Sequence, residues 1–469
     1  MTRRKINSQK VYFNFQGCLP PAALDANPAR IPSQTASTHP KLITDTTLRD
    51  GSQDPCFALF PNEAKLRYVD LLHALDNGTG RIEAVEIFIY QKRDLWVLDK
   101  LLEKGYDYPR VTTWTRALPK DIKALVEVSQ GRVRETGMLA SASDHHIFDK
   151  MGFSSKEEAA DKYLVPILAA CEHGIRPRVH LEDVTKADID GWVIPFIQRV
   201  LEETGGLACF RLCDTLGVGS PDSYASLPFG IPKLFSTIVE ATGAELEFHG
   251  HNDFGLAVAN SMAAYRYGGK RVNTAFGGLG ERAGNAPLEQ VLANYIRAFG
   301  NPGFNLEVLS EIAELIDREV VALSPKLPIV GSNIFTTQAG LHQTGVERQK
   351  SAPGGLIYLP FDPALVGRRA VETNRIGSLS GMDGIIALLN EAVEAATGEK
   401  GKLTPYSRRV KQVYDYIQQA YDGNYDDAQG KFTGYRTTFF TQEELLGLLE
   451  SEPASGTPAS ALPKERGQT

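Results

Sequence analysis

From Leu42 onward, short apolar or β-branched runs alternate with longer stretches whose apolar residues recur every three or four positions. The short runs are LITDTTL, RIEAVEIF, RVTTWTR, ETGMLAS, RPRVHLED, ACFRLCDT, ELEFHGH and RVNTAF. Their length and β-branched content predict strands. Between them, NEAKLRYVDLLHALD, LWVLDKLLEK and EEAADKYLVPILAACEHG carry helical periodicity. Strands alternating with helices predict parallel βα units. Eight such units close into a (β/α)8 TIM barrel over residues 42–300. An open doubly wound sheet is the alternative, and it requires a reversal of strand order that the pattern does not reveal.

Beyond residue 300 the alternation stops. Residues 306–325 and 382–396 read as helices flanking a Gly- and Pro-rich region, and 301–400 is set apart as an accessory subdomain. In TPYSRRVKQVYDYIQQAYDG, Thr404 reads as the N-cap, Pro405 as the first helical residue and Gly423 as the stop. Val410, Val413, Tyr414, Ile417 and Tyr421 fall on one face of that helix. Thr441 and Glu444 form a capping-box pattern before a last short helix, so 401–450 reads as a helical C-terminal segment. Residues 1–41 read as an arm and linker, and 451–469 as a disordered tail. The expected fold class is α/β, a TIM barrel followed by a smaller, mostly helical accessory region.

Composition narrows the function classes. A net charge of -7 gives no electrostatic footprint for nucleic acid or an anionic membrane. No apolar run is long enough to span a bilayer. The basic start MTRRKINSQK is not followed by the apolar segment of a secretory signal, though an organelle-targeting reading stays open. The five cysteines are irregularly spaced, as expected of reduced thiols. These features point to a cytoplasmic location.

Barrel enzymes place their chemistry where strands give way to loops at the C-terminal face. In HGHND, His249 and His251 lie two apart and share one face of a strand. They can bind one divalent cation or serve as two hydrogen-bonded histidines. The first strand ends in DTTLRDGSQ, where Asp50 offers an oxygen and Arg49 a cation. The eighth leads into GGLGERAGN, where Asn285 offers an amide oxygen. Such a mixed nitrogen and oxygen set suits Mg, Mn, Co or Zn alike. An open metal site of this kind can take the carbonyl and carboxylate oxygens of a 2-oxo acid.

Together, DTTLRDGSQ, HGHNDFGLAVANS and GGLGERAGNA resemble the signatures of the 2-isopropylmalate and homocitrate synthase family, over roughly residues 42–395. That family belongs to a superfamily of metal-dependent barrels that also holds citramalate synthases, Re-type citrate synthases and 3-hydroxy-3-methylglutaryl-CoA lyases. The resemblance implies a Claisen-type condensation of an acyl-CoA with a 2-oxo acid, then hydrolysis of the thioester. It implies Asp50, His249, His251 and Asn285 at a divalent metal, with Arg49 and Glu182 as catalytic residues. Glu86, His146, His180 and Thr215 correspond to substrate-side positions. His342 and Tyr358, in GLHQTG and IYLPFDP, match residues that reach into the partner subunit's site, implying a homodimer with composite active sites.

Departures from the family's patterns also inform the reading. The loop GGLGERAGN lacks the cysteine of the lyases, and Cys213 stands where biotin-dependent carboxyltransferases have lysine. Both favour the synthases. His180 replaces a common serine, His145 an aliphatic residue and Gln338 a common glutamate. His180 alternates with Arg178 and Glu182 and reads either as part of a polar, cationic pocket for a 2-oxo acid with a second acidic group, such as oxaloacetate or 2-oxoglutarate, or as a histidine hydrogen-bonded within the barrel wall. The chain after residue 400 is too short for the usual leucine-sensing domain.

Overall fold

The computed structural model describes residues 40–116, 118–350, 357–368 and 373–451. The expected arm, up to residue 39, and the tail from 452 lie outside the described residues.

Eight βα units follow in chain order: β1 (Leu42–Asp45), α1 (Asn62–Asp76), β2 (Ile82–Ile87), α2 (Lys92–Glu103), β3 (Arg110–Thr115), α3 (Pro119–Ser129), β4 (Glu135–Ser141) and α4 (Lys156–Glu172). Then come β5 (Arg176–Glu182), α5 (Ile194–Glu203), β6 (Cys209–Asp214), α6 (Ile231–Thr242), β7 (Leu246–Gly250), α7 (Ala257–Arg266), β8 (Arg271–Thr274) and α8 (Leu288–Phe299). The strands close into a parallel barrel in sequence order, with β1 pairing β8 from Leu42↔Arg271 to Asp45↔Thr274. The open-sheet alternative is thereby excluded.

All six residues of β2 and all six of β6 are buried. A barrel strand is covered by helices outside and by other strands inside, which explains the near-continuous burial. The period-two alternation survives within it. Arg178 and His180 of β5 both face Glu86 of β2 across the barrel interior. Helix limits follow local chemistry: Ser155 caps α4 by accepting a 3.1 Å bond from Glu158 N, and Asn77 ends α1 in the left-handed region.

The described chain forms two compact units. The first holds the barrel and α9 (Val308–Glu319), up to Ile334, with residues 364–368. The second spans residues 335–363 and 373–451, with α10 (Gly340–Lys350), α11 (Met382–Thr397), α12 (Arg408–Asp422), the hairpin β9 (Asn424–Asp426) and β10 (Lys431–Thr433), and α13 (Gln442–Glu450). Its core gathers Ile376, Ile385, Leu389, Val410, Ile417 and Leu445. The expected face of α12 is correct, with Tyr414 and Tyr421 packed at its margin. Its expected start is not. Ser407 N bonds to Thr404 O at 3.0 Å, so Thr404 and Pro405 form a turn and the helix begins at Arg408. Proline's fixed φ serves the second position of a turn as well as a first helical turn. The capping box at Thr441 and Glu444 forms as expected. The short hairpin was not foreseen.

Candidate active site

Inside the barrel, charged side chains stack in two layers. The lower layer centres on Glu86, 1% exposed, which accepts from Arg178 Nη2 at 3.1 Å and from Thr46 Oγ1 at 3.0 Å and pairs with Arg211 Nη1 at 3.2 Å. Glu247 of β7 accepts from Arg211 Nε at 3.0 Å and from Thr44 Oγ1. Burial alone would raise both carboxylates. The surrounding arginines outweigh it, holding Glu247 at about 2 and Glu86 well below its ordinary range.

Arg49 joins this layer to the one above. After β1 the chain turns tightly, with Arg49 N and Gly51 N both donating to Thr46 O at 3.0 Å. The turn points Arg49 and Asp50 towards the barrel axis. Arg49 Nε donates to Glu86 Oε2 at 2.7 Å, Nη1 reaches Asp50 Oδ1, and the guanidinium lies 5.3 Å from the Trp114 ring centre.

The upper layer is the candidate metal centre. Ligand atoms of Asp50, His249 and His251 lie within 4.8 Å of one another. Each imidazole Nε2 is 3.9 Å from Asp50 Oδ2. His249 Nδ1 lies 2.8 Å from Asn273 Oδ1, so it carries the proton and its Nε2 lone pair is turned towards Asp50. Burial lowers both histidines, His249 to about 4, so both are neutral donors. Burial would raise Asp50, but its charged surroundings, Arg49 foremost, outweigh that and pull it down to about 2. Asn285 donates Nδ2 to Leu279 O at 2.7 Å, and its Oδ1 has no hydrogen-bond partner among the described residues. Asp50 Oδ2 is likewise buried and unpartnered. Neutral imidazoles and orphaned carboxylate and amide oxygens are a donor set that fits a divalent cation.

A cavity of about 240 Å³ opens above these groups, lined among others by Arg49, Trp114, His180, Glu182, Thr215 and Arg282. Glu182 Oε2 lies 2.9 Å from His146 Nδ1 and 2.8 Å from Lys150 Nζ. Thr215 lines the cavity while its Oγ1 accepts from Asp183 N at 2.8 Å. Glu86 and His146 do not line it; they sit behind Arg49 and Glu182. The expected cationic His180 is corrected. It is 2% exposed, and burial with Arg211, Arg49 and Arg178 nearby pushes it well below its ordinary range, so the ring is neutral. A Cβ on Gly137 would fall 2.5 Å from its Nε2, so the glycine is what admits the histidine.

His342 and Tyr358 lie in the second unit, where their rings stack with centres 4.5 Å apart. Sequence reasoning missed Asn273. Its signal was a polar residue at an inward position of the strand beside HGHND, visible only once β7 and β8 are paired. Lys150 was also missed.

Comparison with known proteins completes the picture. The HMGL-like family profile matches residues 41–316. A citrate (Re)-synthase of Clostridium kluyveri is 36% identical over 388 residues, covering 81% of this chain and 82% of that protein. A 2-phosphinomethylmalate synthase of Streptomyces hygroscopicus is 32% identical, covering 82% and 86%. A 2-isopropylmalate synthase of Methanocaldococcus jannaschii is 31% identical, covering 80% and 68%. With its closed parallel barrel and these matches, the chain belongs to the HMGL-like family, in the 2-isopropylmalate and homocitrate synthase branch of acyl-CoA:2-oxo acid condensing enzymes.

Proposed function

We propose that the chain condenses acetyl-CoA with oxaloacetate to form citrate. One proton leaves the acetyl carbon, a bond forms between that carbon and the keto carbon, and water cleaves the thioester to release CoA. The choice of oxaloacetate is supported by the relative named citrate (Re)-synthase, at 36% identity. A second protein so named, of Syntrophus aciditrophicus, is 35% identical and covers 82% of this chain and 60% of that protein.

The observation that carries the chemistry is the unpartnered Asp50 Oδ2 between two neutral imidazoles at the cavity floor. Asp50, His249, His251 and Asn285 are the residues that would hold a divalent cation. When bound there, such a cation supplies Lewis acidity and a two-oxygen anchor for the 2-oxo acid. Mg, Mn, Co and Zn all suit the donor set. Arg49 directs its guanidinium at the charge that develops on the former keto oxygen. Glu182 holds and moves protons at the cavity wall. His342 and Tyr358 serve the acyl-CoA end from the partner protomer of a homodimer.

The test is CoA release, read with a thiol reagent, from acetyl-CoA, Mg or Mn and a panel of 2-oxo acids. Oxaloacetate is expected to give the highest kcat/KM. A strong preference for 2-oxoisovalerate would overturn the substrate assignment in favour of isopropylmalate synthesis. For the dimer, co-expressed Arg49→Ala and His342→Ala chains should regain part of the lost activity, since each mixed dimer has one intact composite site. Confirmed mixed dimers that stay inactive place both residues in the same chain's site or make His342 structural.

A further inference from the structure

The loop after β5 carries a second carboxylate that the chemistry above does not use. Asp183 directly follows Glu182, yet both face the same imidazole: His146 Nδ1 is 2.9 Å from Glu182 Oε2, and its Nε2 is 3.7 Å from Asp183 Oδ2. Neighbouring residues of an extended strand point to opposite faces. Here the chain breaks that rule because Asp183 adopts φ 62°, in the left-handed region. This conformation is costly for a residue with a Cβ and persists only where the surroundings hold it. Three bonds do so. The Asp183 backbone N–H donates to Thr215 Oγ1 at 2.8 Å, and its Oδ2 accepts from Ser143 Oγ at 2.6 Å and pairs with Lys186 Nζ at 3.0 Å. The residue is fully buried, and its Oδ1 has no hydrogen-bond partner among the described residues.

We infer that Glu182, His146 and Asp183 form one acid/base unit, in which Asp183 is a positioning residue that orients the imidazole behind Glu182. The inference rests on Glu182 acting as the acid/base group of the proposed reaction. Glu182 faces the cavity and takes a proton there. His146 donates its Nδ1–H to Glu182 Oε2 at 2.9 Å and steadies that carboxylate, while Asp183, 3.7 Å from Nε2, holds the ring from its other side. Glu182 gives the same proton back in the reverse direction, so no further reactant is needed.

The surrounding charges are accounted for. Lys150 pairs with Glu182, Lys186 with Asp183, and Asp214 lies close enough to Asp183 to act on it electrostatically. Cys213 and Tyr163 stand near Glu182, and both are raised by burial and therefore neutral. On the element of His146 itself, His145 pairs with Asp149 at 2.9 Å and Asp144 with Lys156 at 3.0 Å.

The test begins with Asp183→Asn, because asparagine keeps the shape and tolerates the left-handed conformation. The expected result is a kcat about 10- to 100-fold lower. KM for both substrates and Mn binding should be unchanged, and one limb of the kcat–pH profile should move to lower pH. His146→Gln should show the same split, and the double variant should be no slower than the slower single one. Unchanged kcat and pH profile in folded Asp183→Asn, or additive losses in the double variant, would overturn the unit. Should Asp183→Asn fail to fold, His146→Gln decides: native kinetics there overturns the proposal. A readout independent of turnover separates this from the substrate assignment. The ¹⁵N shifts of a histidine-labelled sample should report His146 protonated at Nδ1, and a ring without that proton overturns the unit even if citrate is made. If no 2-oxo acid supports CoA release, the proposed function fails, while the tautomer still tests the geometry.

Discussion

The two polar layers inside the barrel are both buried and differ in how their polar groups are paired. In the lower one, Glu86 and Glu247 are enclosed by Arg178 and Arg211 with threonine hydroxyls filling in. In the upper one, Asp50 Oδ2, Asn285 Oδ1 and His251 Nδ1 are buried without partners. Leaving a buried polar atom unpaired costs about 1–3 kcal/mol. In the lower layer the charges are matched by other charges of the chain, with Arg178 Nε alone of its guanidinium nitrogens left without a partner. The upper layer is complete only with a ligand, so the contrast locates the reaction. Arg49 is shared by both, which makes it the hinge of the comparison.

The sharpest way to break this contrast is in the upper layer. His251→Ala should lower turnover by about a thousandfold or more, since one of few cation donors is lost. The melting temperature of the metal-free protein should hold or rise, because the ring is a buried polar group without full pairing. Thermal unfolding in excess chelator checks this, and a large loss of metal-free stability would make His251 structural. Chelation of the unaltered enzyme should abolish activity reversibly.

Arg49→Lys comes next. The lysine keeps the charge but loses the fork that reaches Glu86 and Asp50 together. A kcat about 100-fold lower is expected, with substrate KM little changed. Native kinetics would remove Arg49 from the reaction and leave it in the lower layer alone.

The lower layer should answer in stability. Glu86→Gln leaves Arg178 and Arg211 short of a buried counter-charge, and about 3–5 kcal/mol of unfolding free energy should be lost. Denaturant titration measures it. A loss below about 1 kcal/mol would mean the network is more hydrated than its burial indicates.

The smallest effect sharpens the comparison from outside both layers. Glu289, fully buried, accepts from Gly277 N at 3.0 Å and from Gln290 Nε2, pairs with no cation among the described residues, and is pushed up by burial to about 7. Its folded value lies above its unfolded one, so the native state holds the proton more tightly. Stability therefore falls as pH rises from about 4 to about 7, and stays flat above that, by at most about 3 kcal/mol. Glu289→Gln should match the unaltered protein near pH 4 and exceed it at pH 8, read as melting temperature. An equal difference at both pH values would mean that Glu289 is already ionised at the lower one.

Much of this molecule was legible before folding. ETGMLAS is β4 and NEAKLRYVDLLHALD is α1 to the residue, because strand and helix periodicities are local properties of the chain. Asp50, His249 and His251 come together, with Asn285 bridged to His251, because these residues lie at or beyond the C-terminal ends of β1, β7 and β8. What only the tertiary structure decided is which side chains pay for one another's burial. Glu86 meets Arg211 across 125 positions, and His249 finds Asn273 only through the neighbouring strand. The cationic reading of His180 fails because closure of the barrel buries the ring, with three arginines nearby, and leaves it neutral. Thr404 and Pro405 read as a helix start, but the chain there closes a turn instead. Periodicity depends on near neighbours and survives in the sequence. Ionisation and pairing depend on distances of a few ångströms between remote strands, and those exist only in the closed barrel.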